Sequence, residues 1–268
     1  MSYYQEREQR ALIFKDTLAY CDARLEEENK RVAAELKVYE PGFVSPKRII
    51  RREDPDYPVW NCSTFTAASR FALNGQKTAV LNFANAVCQG GGVLEGASAQ
   101  EETLCRCSNL YPALMSDKAL REYYEPHRAR EDYDATDRVI YTPGITVFRD
   151  DRDYHYLAEP FKTDVITCAA PVNHYEHDAD WIRRIFRNRI INILETAMDN
   201  DVEVLVLGAF GCGAFRNPPE IVAEVFKEVL VKESYGSMFD QVVFAVLAGR
   251  KPENEQVFRV VFDPAGNE

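Results

Sequence analysis

The chain has 268 residues, 46% of them hydrophobic and 28% charged, and a net charge of −11. That length suits one large α/β domain or two small ones, and the composition is that of a globular protein. The acidic balance argues against extended nucleic-acid binding, which needs a basic face. No apolar stretch approaches a membrane span. Met1 to Arg10 is too charged for a signal peptide, so a cytoplasmic location is expected, with a nuclear one open for a eukaryotic source. The 7 cysteines are odd in number and lack a Cys-x-x-Cys pair, which predicts reduced, mostly buried thiols.

In chain order, Ser2 to Val38 reads as helix. Leu12, Leu18, Leu25, Val32 and Leu36 recur at roughly helical spacing, Glu26 and Lys30 form an i,i+4 pair, and Pro41-Gly42 stops the run. Arg48 to Arg52 suits a short strand. Val59 to Phe65 reads as a strand leading into a helix from Thr66 to Leu73, with Thr64 or Thr66 as N-cap and Asn74-Gly75 as its end. Thr78 to Asn85 is a buried strand. Helices follow at Gln100–Leu110, ended by Pro112, and at Asp117–Tyr124, ended by Pro126. Arg138 to Arg149 suits two short extended runs around Pro143-Gly144. Asp150 to Phe161 reads as loop, and Asp164 to Ala170 as a buried strand. Trp181 to Met198 is a helix with one apolar face, including Ile182, Ile185, Phe186, Ile190, Ile193 and Leu194. Glu203–Gly208 and Gln241–Leu247 are buried strands, separated by a helix over Pro218–Lys232. Gln256 to Phe262 reads as a last, edge strand.

Strand–helix alternation with short apolar strands predicts an α/β fold: a mixed, mostly parallel sheet flanked by helices. The economical reading is one domain whose main body spans 46–268, carrying an N-terminal helical extension over residues 1–45.

Two glycine loops follow two of the buried strands. After Thr78–Asn85 come Gly90-Gly91-Gly92 and, soon after, Gln100-Glu101-Glu102. Glycines let the backbone take positive φ and approach a ligand, and their N–H groups can cradle anionic oxygens. After Glu203–Leu207 come Gly208-Ala209-Phe210-Gly211-Cys212-Gly213-Ala214-Phe215, followed by a helix whose positive end suits a diphosphate. Ligands of such sheets bind at the carboxyl ends of strands. This order of glycines is neither the dinucleotide fingerprint nor a Walker A loop. Adjacent glutamates at a loop–helix junction can take separate tasks, and a partly buried Glu beside another has a raised pKa, as an acid catalyst near neutral pH requires. His174 and His177 have a spacing that could hold a metal, but two exposed loop histidines are the expectation, so neither metal nor cofactor is assigned.

Gly-Gly-Gly, seven residues, then Gln-Glu-Glu resembles the signature of poly(ADP-ribose) glycohydrolases. With Asn82-Phe83-Ala84-Asn85 and the loop Gly208–Pro218, the chain from about Val59 to Leu247 resembles their microbial-type branch. The resemblance implies a macrodomain-like sheet that binds ADP-ribose. It implies that Glu102 is the catalytic acid/base and that Glu101 holds ribose hydroxyls. Asn85 would bind the terminal ribose, Gly90, Gly91 and Gly92 would pack on ribose and diphosphate, and Gln100 belongs to the same signature. Gly208, Ala209, Gly211, Cys212, Gly213, Ala214 and Phe215 would border the diphosphate, with Phe215 restricting the ribose beyond it. Macrodomains often carry an Asp at the first strand–helix junction to read the adenine amino group; here Ser63 occupies that place. The implied substrate is poly(ADP-ribose) or ADP-ribosylated protein, and the product ADP-ribose. A mono-ADP-ribosyl hydrolase acting on protein or nucleic acid, and a non-catalytic ADP-ribose reader, are the alternatives.

Overall fold

The computed structural model describes residues 2–53, 55–130, 134–173, 177–249 and 252–263. Its strands are β1 (Lys37–Tyr39), β2 (Val59–Trp60), β3 (Thr78–Ala84), β4 (Val139–Arg149), β5 (Tyr156–Ala169), β6 (Val204–Leu207) and β7 (Gln241–Ala245). They form one sheet in the order β1-β4-β5-β3-β6-β7-β2. The five strands from β5 to β2 run parallel, while β1 and β4 are antiparallel at one edge.

Side chains alternate across a strand, so each buried strand feeds two cores. Ala79, Leu81, Ile166, Cys168, Leu205 and Leu207 enter one core; Val80, Val165 and Val206 enter the other. On the first face lie α8 (Ala179–Asp199), α9 (Pro219–Lys227) and α10 (Glu253–Phe262). The second core takes residues from α1 (Tyr3–Arg24), α2 (Glu26–Glu35), α3 (Thr64–Ala72), α4 (Gln100–Cys107) and α5 (Leu110–Leu114). It also takes residues from α6 (Asp117–Ala119), which continues through a π-helical turn at Leu120–Tyr124 into α7 (Glu125–Arg128). By the same alternation Asn82, two residues beyond Val80, faces the α4 side. Among the described residues no helix is long and apolar enough to cross a membrane.

The structure corrects several elements. The segment expected as a last strand is helix α10. Its apolar residues Val257, Phe258, Val261 and Phe262 recur at i, i+1, i+4 and i+5, Glu255 and Arg259 pair one turn apart, and Phe258 packs on Phe226 and Phe244. The expected single N-terminal helix breaks at Leu25, its chain then enters the sheet as β1, and Leu12 is exposed. Arg48 to Arg52 is irregular, with Arg51 and Arg52 N–H groups bonded to the Ser237 carbonyl. Pro143-Gly144 makes a bulge within one continuous β4, and β5 begins at Tyr156, so the second half of the expected loop to Phe161 is strand. β2 is only two residues long, and α3 starts at Thr64. Pro112 lies inside α5, and Pro126 near the start of α7, just after the π-helical turn, so neither proline ends a helix as expected. Of the 7 cysteines only Cys88 is exposed.

Candidate active site

The ladder between β3 and β6 runs only from Thr78 to Val80. Beyond it, Gln100 at the start of α4 closes the gap. Its Oε1 accepts from the Phe83 N–H at 2.9 Å, and its Nε2 donates to the Leu81 carbonyl at 2.8 Å and to Thr64 Oγ1 at 3.2 Å. The amide thus replaces a missing strand residue and fixes the first turn of α4 against β3 and α3.

That anchoring sends the next two carboxylates different ways. Glu101 is 3% exposed and turns toward β3. Its Oε2 accepts from the Asn85 N–H at 2.7 Å, and its Oε1 from Asn82 Nδ2 at 3.3 Å. Burial pushes the Glu101 carboxyl up to about 8; the Asn85 N–H opposes this, and the neighbouring Glu102 charge adds to it. Glu102 is 8% exposed, and its Oε1 accepts from the Gly92 N–H at 2.9 Å. The glycine loop is shaped around this pair. Gly91 has φ +58°, and a Cβ there would lie 2.5 Å from Glu102 Oε1 and 3.2 Å from Glu101 Oε2. The Asn85 Oδ1 accepts from the Val87 and Cys88 N–H groups, both at 2.9 Å, which closes the turn leading into the glycines.

The second loop is built on close backbone approach. At Gly208 a Cβ would meet the Ala245 carbonyl oxygen at 2.7 Å and Phe83 at 2.9 Å. Gly211, at φ +74°, sits against Ala170 and Asn217, whose Nδ2 donates to the Pro171 and Gly211 carbonyls at 2.9 and 3.0 Å.

The second loop, Asn85 and the start of α4 border one cleft of about 520 Å³ over the carboxyl ends of the parallel strands, within the size range of small-molecule sites. Of the residues singled out from sequence, Asn85, Gln100, Glu101, Glu102, Ala209, Gly211, Gly213, Ala214 and Phe215 line it together. Gly90, Gly91, Gly92, Gly208 and Cys212 are outside that lining: the first three sit against Tyr111, Cys105, Ala97 and the two carboxylates, Gly208 packs on Ala245 and Phe83, and Cys212 is buried. The helix starts that reach the cleft are those of α3, α4 and, through Asn254, α10; that of α9 does not line it.

Asp151, in the turn between β4 and β5, was hidden in an acidic stretch of sequence. It lines the cleft beside Ser63. Its Oδ1 accepts from Ser63 Oγ at 2.6 Å and from Thr66 Oγ1 at 3.2 Å, and its Oδ2 from the Phe65 N–H at 2.8 Å. A carboxylate therefore stands at the first strand–helix junction after all, supplied from another part of the chain. Of the two histidines considered for a metal, His174 lies outside the described residues. His177 stacks on Trp181 at 3.8 Å, with Asp134 Oδ1 3.6 Å away. Among the described residues no group of three or more His, Cys, Asp or Glu side chains is arranged to hold a metal ion.

Sheet, glycine loops and paired carboxylates define a macrodomain-like α/β protein. Residues 14–150 match the family model for the catalytic domain of microbial-type PARG, the poly(ADP-ribose) glycohydrolases. The poly(ADP-ribose) glycohydrolase of Thermomonospora curvata superposes with a TM-score of 0.85 at 31% identity, covering 96% of this chain and 100% of that one. The same enzyme bound to the inhibitor ADP-HPD gives 0.83 at 32% identity, over 94% of this chain and 98% of that one. The Deinococcus radiodurans glycohydrolase in complex with ADP-ribose gives 0.80 at 32% identity, over 88% and 98%. No curated protein sequence matches the chain. The chain belongs to the microbial-type poly(ADP-ribose) glycohydrolase family.

Proposed function

We propose that this chain hydrolyses the ribose–ribose O-glycosidic bonds of poly(ADP-ribose) and releases ADP-ribose, with Glu102 as general acid/base. The observation that carries the reading is the Glu102 carboxylate in the cleft lining, its Oε1 held by the Gly92 N–H. The Glu102 carboxyl protonates the leaving ribose oxygen as the anomeric bond breaks. The resulting carboxylate takes a proton from the water that attacks the oxocarbenium-like carbon. Glu101 holds Asn85, and Asn85 and Glu101 together bind the terminal ribose. Gly211, Gly213, Ala214 and Phe215 border the diphosphate, with Ala209 beneath them. Gly90 to Gly92 act from behind, by fitting closely around the carboxylates. Residues 1–45 form an extension, helical over α1 and α2 and adding the edge strand β1 to the sheet, on a catalytic body that spans 46–268.

The test is incubation with automodified polymer beside substrates bearing a single ADP-ribose on protein or nucleic acid. Free ADP-ribose from the polymer is expected. Release only from the singly modified substrates would favour a mono-ADP-ribosyl hydrolase, and tight ADP-ribose binding with no release from either would favour a reader.

A further inference from the structure

The first turns of α1 lie directly on the loop that carries Gly92. The Arg10 Nε donates to the Gly96 carbonyl at 2.7 Å, and the Arg7 Nε to the Glu95 carbonyl at 2.9 Å. The contact is too close for a side chain: a Cβ on Gly96, itself at φ +72°, would fall 1.9 Å from the Arg7 carbonyl oxygen. From the other side comes Arg106, one turn after Glu102 on α4 and fully buried. Its guanidinium donates to the Ala97 carbonyl at 2.5 Å, to the Arg10 carbonyl at 3.2 Å and to Tyr154 Oη at 3.1 Å. Thr17 Oγ1 returns a bond to the Arg106 carbonyl at 2.7 Å. Three consecutive loop carbonyls, at residues 95 to 97, are therefore held by arginines, two of them from α1. The family match begins at residue 14, so Arg7 and Arg10 precede it.

We propose that α1 is a working part of the active site: Arg10, backed by Arg106, is a positioning residue that fixes the glycine loop and, through the Gly92 N–H, the Glu102 carboxylate. The loop from Gly90 to Ala97 is irregular, with internal bonds only between near neighbours such as Gly96 N–H to the Val93 carbonyl and Ala97 N–H to the Gly92 carbonyl. Besides the Gly92–Glu102 bond itself, the burial of Val93 and the packing of Gly90 on Tyr111 and Cys105, the hydrogen bonds that reach this loop's carbonyls from outside it, among the described residues, come from these arginines. Charge-assisted bonds from guanidinium to carbonyl are the stronger kind, and they cap oxygens that no helix or strand partner reaches. Small misplacement of a catalytic group has a large effect on rate, so releasing the brace lowers turnover before it lowers binding. The proposal rests on the assignment of Glu102.

The test compares full-length wild type with Arg10→Ala, Arg10→Lys and Glu102→Gln. Turnover of polymer is measured per ADP-ribose-binding site, the sites being counted by titration calorimetry with ADP-ribose. Arg10→Ala is expected to lose about tenfold in kcat with ADP-ribose affinity held within about twofold, and Arg10→Lys, which keeps one charged donor, to recover most of the loss. An Arg10→Ala protein with unchanged kcat per binding site overturns the proposal. So does affinity falling in step with kcat, or a lysine variant no better than alanine. If Arg10→Ala yields no ADP-ribose-binding protein, Arg7→Ala carries the same comparison, since it removes one exposed bond, and unchanged kcat there overturns the proposal. Full activity of Glu102→Gln would instead sink the assignment beneath it, which separates the two failures.

Discussion

Glu101 and Glu102 are neighbours in sequence, yet one turns into the sheet and the other toward the glycine loop. Burial holds the Glu101 carboxyl up at about 8 against an ordinary value of 4.5. The folded state then keeps a proton that the unfolded chain releases from about pH 4.5 upward. Its contribution to stability is whole below that point and is lost as pH rises through about 8. Unfolding midpoints measured between about pH 5 and pH 8 are expected to fall with pH in wild type and to fall less in Glu101→Gln, which keeps an acceptor for the Asn85 N–H. Equal slopes would contradict burial as the cause. Gly91→Ala is a second case at this scale. A methyl 2.5 Å from Glu102 Oε1 at φ +58° must displace the carboxylate or the loop, so a loss of about 1–3 kcal/mol in urea unfolding is expected, together with loss of activity. That the two carboxylates and the three glycines lie together was legible in sequence because their relation is local; that the glycines sit behind the carboxylates rather than in the cleft lining was not. Asp151 was not: it reaches Ser63 across 88 positions, and nothing in a run of acids marks which one folds inward.

The elements explain what periodicity misread. β-branched and aromatic residues crowd Gln256 to Phe262, and in so short a run their propensity outweighs the helical spacing that the structure follows. The buried parallel strands and the long helix α8 were clear because their apolar patterns are unbroken. The start of α3 shows how tertiary contacts replace a local signal. Ser63 is its N-cap residue, yet its side chain makes no capping bond, and Asp151 takes the Phe65 N–H instead. Removing that carboxylate leaves a helix N-terminus beside the cleft unsatisfied. Asp151→Ala is expected to cost about 1–2 kcal/mol in chemical denaturation, while Ser63→Ala, which spares the cap, costs less. The reverse order would place the cap on Ser63.

Across the whole molecule, the fold sets the second glycine loop and the start of α4 over the ends of the adjacent parallel strands β6 and β3, around one cleft. Gln100 spans the gap left by the short β3–β6 ladder, so the sheet opens where the ligand is to lie. A ligand that touches both the second loop and the start of α4 ties β3, β6 and α4 together and stabilises them jointly. ADP-ribose at about a hundred times its Kd is expected to add about 2.7 kcal/mol of stability. A thermal shift with ADP-ribose that is absent with ribose alone or AMP alone would show that both ends of the cleft are engaged.

The central claim is that Glu102 carries the proton transfers in a cleft that binds ADP-ribose without it. The most direct measurement is the rate of ADP-ribose release from polymer by Glu102→Gln, set beside its calorimetric affinity for ADP-ribose. A rate lower by about 10²–10⁴-fold with affinity nearly unchanged is expected. Release at the wild-type rate by a properly folded Glu102→Gln protein would contradict it.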